Sequence, residues 1–348
     1  MHSFYQRQSI LTEVGLDGQK RLSKTKILVI GAGGLGCPVL EYITAAGVGE
    51  IDICDYDTVD YTNLHRQVLF TPEDCGKLKS EIAKKRLNKQ NPNIIINSLA
   101  KRFDLDFNLS SYDLVIDCSD NFETKFIAHD LCFINNIPLI QGSIHKFEGQ
   151  IQFFQYGAEN KNQDNEPCLR CLWPKEPEKS CVQTCSEAGV LGFVPGVIGT
   201  LQASEAIKYI LKLPTLNSGQ TQIINLFDFS TQKIKWKKEK FCPLCTKEKN
   251  KIDLRKFNYG QSDLEIEFKE TTQKKYLIVS LVDPQKEKTK IDLISNSDQL
   301  LQDLKNTPKD NPIALICQRG IMSLKATQVL RNHGFKNSYS LKGGFEGL

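Results

Sequence analysis

The run Lys26-Ile-Leu-Val-Ile30 passes without a break into Gly31-Ala-Gly-Gly-Leu-Gly36. A short, wholly apolar run of this kind fits a strand buried on both faces, and glycines at 31, 33 and 36 fit a tight turn into a helix. Such a loop lets backbone approach a phosphate, which the helix N-terminus then stabilises. A helix is expected over 38–46 and a second strand over 50–55, completing a βαβ unit and, with it, a parallel sheet. The fold class expected is α/β, with a doubly wound, mostly parallel sheet. Asp55 falls 19 residues past Gly36, where a ribose hydroxyl would be accepted. On these features alone an NAD-dependent oxidoreductase is the default.

The pattern continues with a basic helix over 79–89, strands over 94–98 and 113–117, strand-like runs at 138–140 and 150–154, and an amphipathic helix over 201–213. Residues 1–23 suggest a polar helical lead-in, and 157–186 an irregular segment. The chain of 348 residues suits about two domains. A shift to Lys, Glu and Asn over 246–275 marks a linker and the start of a second domain, so the division expected is 1–245, 246–275 and 276–348. Charge is nearly balanced, Lys+Arg 45 against Asp+Glu 41, too weak an excess to argue by itself for a nucleic-acid partner, and none is expected. No apolar run reaches bilayer length and the start lacks a signal-type apolar stretch, so a cytoplasmic protein without a membrane partner is expected.

The segment after Asp55 moves the reading away from a dinucleotide. Asp55-Tyr-Asp57 runs into Val59-Asp-Tyr-Thr62-Asn63-Leu64-His65-Arg66-Gln67, and Lys79 follows. Asn63, Arg66 and Lys79 put a polar donor and two cations beside the phosphate loop. A nucleoside triphosphate being split needs these, because charge builds on the departing phosphates. Asp120, just past the strand that ends at Asp117, suits a magnesium ligand facing the same phosphates.

Four motifs carry a family resemblance: Gly31-Ala-Gly-Gly-Leu-Gly-Cys-Pro38, Asp55-x-Asp57-x-Val59, Asn63-Leu-x-Arg66-Gln67 and Asp117-Cys-Ser-Asp-Asn121. Together they resemble the MoeB/ThiF family, bacterial relatives of ubiquitin-activating enzymes, over about residues 5–245. The resemblance implies a Rossmann-like fold and an ATP-dependent adenylation of the C-terminal glycine of a ubiquitin-like sulfur carrier. It places Gly31, Gly33, Gly34, Gly36, Asp55, Asp57, Thr62, Asn63, Leu64, His65, Arg66, Gln67, Lys79, Asp120 and Asn121 around ATP, with magnesium at Asp120. It also implies that Arg7 reaches into the site of a second copy, and so a homodimer. The carrier partner would end in Gly-Gly, and a cysteine desulfurase would be a sulfur donor.

Twelve cysteines without a secretory signal point to metal or thiol chemistry. Cys168-x-x-Cys171 and Cys242-x-x-Cys245 are two knuckles about seventy residues apart, a set able to close a tetrahedral zinc site. The family has a zinc site at matching positions. A cysteine at the place of Cys185 can, in that family, bond covalently to the carrier or its sulfur, and Cys181 is a second thiol nearby. Cys37, Cys54, Cys75, Cys118 and Cys132 are expected to be buried packing residues.

The tail, Ile313-Ala-Leu-Ile-Cys317-Gln-Arg-Gly320 and onward to Gly344, resembles a small α/β rhodanese domain over about 257–348. That implies a persulfide on Cys317, held by loop N–H groups and a helix N-terminus. Met322 stands where the family has arginine, and the first half is short, so a degenerate docking domain is the rival. The Lys-rich stretch 233–251 is expected to guard a sheet edge. The fused tail favours a molybdopterin-type carrier over a thiamine-type one. The rivals of another class are an NAD-dependent oxidoreductase and a non-catalytic carrier-binding scaffold. Replacing Arg66 or Lys79 separates the first of them.

Overall fold

The computed structural model describes residues 3–157, 166–175, 189–257, 259, 264–273, 275–283, 290–318 and 320–347. The chain forms two compact units, residues 1–260 and 261–348.

The first unit is built on an eight-stranded sheet. Its strands are β1 (Lys26–Ile30), β2 (Glu50–Cys54), β3 (Ile95–Leu99), β4 (Leu114–Asp117), β5 (Leu139–His145), β6 (Glu148–Phe154), β7 (Gln220–Asn225) and β8 (Thr231–Lys235). The order is β3-β2-β1-β4-β5-β6-β7-β8, parallel from β3 to β5 and antiparallel thereafter. Strand order reverses between β1 and β4, and the crevice outside the carboxyl ends of those two strands is where such sheets bind ligands.

Helices cover both faces, which is why the central strands β1 and β4 are almost wholly apolar rather than alternating, while β2 and β3 carry Asp52, Asn97 and Ser98. They are α1 (Gln6–Ser9), α2 (Gly15–Leu22), α3 (Gly36–Ala46), α4 (Lys79–Gln90), α5 (Phe122–Asn135), α6 (Leu169–Leu172) and α7 (Phe193–Leu211). One core packs α3, α4 and α7 on β1 and β2 through Val39, Ile43, Ile51, Ile53, Ala83 and Ile198. The other packs α5 with Phe103, Phe154, Leu244 and the four knuckle cysteines. β8 is the last strand of the sheet and exposed along its length, with Lys233 and Lys235 on that edge.

Two expectations need correction. The last helix of the unit begins at Phe193, eight residues before the apolar period suggests, because Val194, Pro195 and Ile198 are buried in the first turns. Cys75 is exposed, just past the short turn Pro72–Asp74, whereas Cys37, Cys54, Cys118 and Cys132 are buried. Burial pushes the Cys37 and Cys54 thiols up to about 12, so they serve as packing atoms rather than nucleophiles.

The second unit has a five-stranded parallel sheet of β9 (Glu265–Ile266), β10 (Leu277–Ser280), β11 (Leu293–Ile294), β12 (Ile313–Ile316) and β13 (Ser338–Leu341), in the order β11-β10-β12-β13-β9. Helices α8 (Phe268–Gln273), α9 (Leu300–Asp303) and α10 (Ile321–Asn332) accompany it. Its apolar clusters centre on Val279, Leu315 and Leu330 and on Ala314, Ile316 and Leu341.

Candidate active site

The loop after β1 sets the geometry. Gly31 has φ +92°, and a Cβ there would press on the Cys118 carbonyl at 3.1 Å. A Cβ on Gly36 would lie 2.0 Å from the Gly31 oxygen, so only glycine lets α3 start this close to the strand. The loop's Ala32 N–H donates to Asp55 Oδ2 at 2.7 Å, which ties the end of β2 to the glycine turn. The other Asp55 oxygen takes the Asp57 N–H at 2.8 Å. Burial pushes the Asp55 carboxyl above its ordinary value, while Lys79 and these two amides work against the rise.

The segment 60–67 closes over the loop. Asp60 caps its first turn by accepting the Thr62 N–H, and Asn63 O accepts from the backbone of Arg66 and Gln67. The Arg66 side chain passes 3.6 Å from where a Gly34 Cβ would stand, and Gln67 Nε2 3.7 Å from the corresponding point on Gly33. Arg66 Nη1 rests on the Thr62 carbonyl and on His65 Nε2, at 3.2 and 2.9 Å. From the other side, Gly192 and Pro195 of α7 pack on His65 O and Gly34.

Lys79 opens α4 and is almost fully buried, its Nζ 3.2 Å from the exposed Asp57 carboxylate. Ser80 Oγ donates to Asp55 O, so Lys79, Asp57, Asp55 and the glycine loop form one bonded framework. Asp120 and Asn121 follow β4 and are exposed. Asn121 Oδ1 caps α5 by accepting the Thr124 N–H at 2.8 Å. The chain therefore gathers the glycines, Asp55, Asp57, residues 62–67 and Lys79 at the switch point.

Other expected residues fall elsewhere. Arg7 is exposed on α1. Cys181 and Cys185 lie outside the described residues. Cys317 belongs to the second unit, at the end of β12. Its buried Sγ accepts the Ser323 N–H at 3.3 Å and lies 3.3 Å from Ser323 Oγ.

The cysteine knuckles meet. The sulfurs of Cys168, Cys171, Cys242 and Cys245 all lie within 4.8 Å of one another and are buried. Arg170, between the first two, is itself buried against Asp130. Sequence reasoning did not find that ion pair, nor the buried set around Asp117, where Lys125, Gln141 and the Ser119 N–H all donate to one carboxylate. An Asp closing a four-residue buried strand was the available signal.

Backbone amides, a helix N-terminus and two cations at the switch point are equipment for phosphates, and fold and site together define a nucleotide-binding α/β enzyme. The ThiF family model matches residues 5–244, and a rhodanese-like domain model matches residues 279–348. The chain belongs to the ThiF family.

It is 40% identical over 253 residues to a sulfur carrier protein adenylyltransferase of Thermus thermophilus, covering 72% of this chain and 93% of that one. It is 37% identical over 250 residues to the adenylyltransferase and sulfurtransferase MOCS3 of Caenorhabditis briggsae, covering 70% of this chain and 60% of that relative. Among solved structures, Escherichia coli MccB superposes with a TM-score of 0.61 at 23% identity, covering 70% of this chain and 74% of that one, a likeness of fold. No described helix is long and apolar enough to cross a membrane.

Proposed function

We propose that the chain adenylates the C-terminal glycine of a ubiquitin-like sulfur carrier of the molybdopterin-synthase small-subunit type. The observation that carries this is a pair of cations at the glycine loop: Lys79, bonded through Asp57 to Asp55 and so to the loop, and Arg66, whose side chain packs beside Gly34. In the reaction a carrier carboxylate oxygen attacks the α-phosphorus of ATP. The bond to the bridging oxygen breaks, and pyrophosphate leaves with the electron pair. Arg66 and Lys79 stabilise the charge that accumulates there. Lys79 now faces Asp57, whose side chain is 56% exposed, and exchanging that carboxylate for phosphate costs little desolvation. Asp55 accepts the ribose, and residues 62–67 with Asn121 line the nucleotide.

Asp120 is exposed on the loop after β4, a hard oxygen ligand suited to magnesium, which when bound with ATP neutralises phosphate charge. The four knuckle sulfurs suit zinc, since contacts of 3.4–3.9 Å between them match thiolates around one small tetrahedral ion. With all four positions taken by the chain, that metal staples residues 168–171 to 242–245 and is not part of the reaction. Exposed Phe4, Ile10, Leu11 and Leu16 lie on the N-terminal segment that carries Arg7, which supports a homodimer with Arg7 reaching the neighbouring site.

The second step belongs to Cys317. The outer sulfur of a persulfide there attacks the acyl carbonyl and displaces AMP. A second thiol, for which Cys185 is the candidate, then releases the carrier thiocarboxylate and forms a disulfide in exchange. An external dithiol would then reduce that disulfide, being oxidised in turn, and a cysteine desulfurase persulfide would pass its outer sulfur to the freed Cys317 thiolate. The thiamine-type carrier is the other substrate of the same chemistry. ATP–pyrophosphate exchange by the full chain, with each Gly-Gly carrier offered separately, tests the proposal. Exchange with the molybdopterin-type carrier supports it; exchange with only the thiamine-type one moves the pathway, and none with either refutes both.

A further inference from the structure

Among the described residues, two buried oxygens without any hydrogen-bond partner flank the glycine loop: Ser119 Oγ and Gln67 Oε1. Ser119 is 9% exposed and Gln67 4%. The Cys118–Ser119 peptide lies against Gly31, with Ser119 N 3.5 Å from where a Cβ of that glycine would stand, and Gln67 lies over Gly33. The two orphaned groups thus belong to residues that border, at Gly31 and at Gly33, the loop whose amides and helix are arranged for a phosphate. Buried hydroxyls are rarely left unpaired, and one kept so beside a ligand crevice points to a partner that the ligand brings.

The Ser119 backbone is pinned. Its N–H donates to Asp117 Oδ1 at 2.9 Å, and Asp117 is held in turn by Lys125 and Gln141. Cys118 N–H donates to Ile30 O at 2.8 Å, which fixes the loop to the end of β1. With the main chain immobilised, the hydroxyl is held beside the loop, and it is a donor where a phosphate oxygen can only accept.

We infer that Ser119 is a nucleotide-contacting residue whose hydroxyl donates a hydrogen bond to a phosphate oxygen of ATP. This deepens the adenylation reading of the crevice and rests on it. Because the hydroxyl has no protein partner, its removal leaves the ligand-free fold unchanged and weakens only the nucleotide-bound state.

The test uses the full chain and compares wild type, Ser119→Ala and Ser119→Thr. Three readouts are needed: melting temperature without nucleotide, KM and kcat for ATP in pyrophosphate exchange, and equilibrium binding of AMP and of adenosine. For Ser119→Ala we expect an unchanged melting temperature and a KM for ATP raised about ten- to hundredfold, the worth of one hydrogen bond to a charged group. AMP affinity should fall in parallel, adenosine affinity should hold, and Ser119→Thr should restore KM. A wild-type KM in Ser119→Ala overturns the assignment while leaving adenylation standing. So does a lowered melting temperature without a KM effect, which would make the hydroxyl structural. Equal loss of AMP and adenosine binding overturns the phosphate contact. Absence of both exchange and AMP binding in the wild type refutes the adenylation reading, and this assignment with it.

Discussion

Lys125 Nζ lies 3.2 Å from Asp117 Oδ2, and both side chains are buried beneath the loop that follows β4. Lys125 also donates to Gly142 O at 2.6 Å, and Gln141 Nε2 completes the carboxylate at 2.9 Å. Removing one partner of such a pair leaves an uncompensated buried charge, which costs about 3–5 kcal/mol. Lys125→Met should therefore lower stability by that order in guanidinium unfolding. Adding Asp117→Asn should recover part of the loss, since the stranded charge is gone. If the double variant is as unstable as the sum of the single ones, the two residues do not act as a pair.

Arg66 and Lys79 differ from that pair in facing the crevice. Lys79→Ala gives up an ion pair whose other member is largely solvated, so the cost to folding stays under about 1 kcal/mol from that contact. Its cost to chemistry is of another order: losing a group that stabilises developing charge lowers the rate about a hundred- to a thousandfold. Carrier-dependent ATP–pyrophosphate exchange should fall by that factor in Lys79→Ala and in Arg66→Ala, with both variants still folded at the assay temperature. Exchange within threefold of wild type would remove either residue from the machinery.

The parts of this arrangement differ in how far they can be seen in a sequence. The β1–glycine loop–α3 unit is legible because its information is local, an apolar run and four glycines inside eleven residues. The two Cys-x-x-Cys pairs are legible because metal chemistry fixes their spacing. The Lys125–Asp117 bond is not, since a lysine eight residues past an aspartate says nothing until β4 and α5 are packed. The two-residue strands Glu265–Ile266 and Leu293–Ile294 are too short to carry any period, and they exist only as pairings with β13 and β10. The start of α7 was hidden by Gly192, Pro195 and Gly196, which look like loop residues and here let α7 close on His65 and Gly34.

The four sulfurs lie in the core formed by α5, Phe154 and Leu244, with the Trp236 Nε1–H donating to Cys168 O at 3.2 Å. The purified chain should carry one equivalent of zinc by elemental analysis. Cys242→Ser should lose the metal and unfold at a markedly lower temperature, because the loop 236–245 would lose its attachment to residues 168–171. Full stability without metal would show the sulfurs to be packing groups alone.

Arg170 and Tyr259 set the last expectation. The Arg170 guanidinium lies 4.4 Å from the centre of the Phe126 ring, 5.1 Å from that of Phe257 and 5.2 Å from that of Tyr259. It donates to Asp130 Oδ2, which also accepts the Tyr259 hydroxyl at 2.7 Å. The segment ending at Tyr259 is thus fastened to the first unit by a buried, ring-flanked cation, while Arg255 and Lys256 on it stay exposed to trypsin. Tyr259→Phe removes one hydrogen bond, worth about 1 kcal/mol net, or roughly fivefold in the population of the opened segment. Native-state cleavage after Arg255 and Lys256 should quicken by about that factor, with global unfolding hardly changed. Arg170→Met strands the Asp130 charge and should destabilise the whole unit by about 3–5 kcal/mol. Equal cleavage rates in wild type and Tyr259→Phe would mean that the Tyr259–Asp130 bond does not hold the segment down.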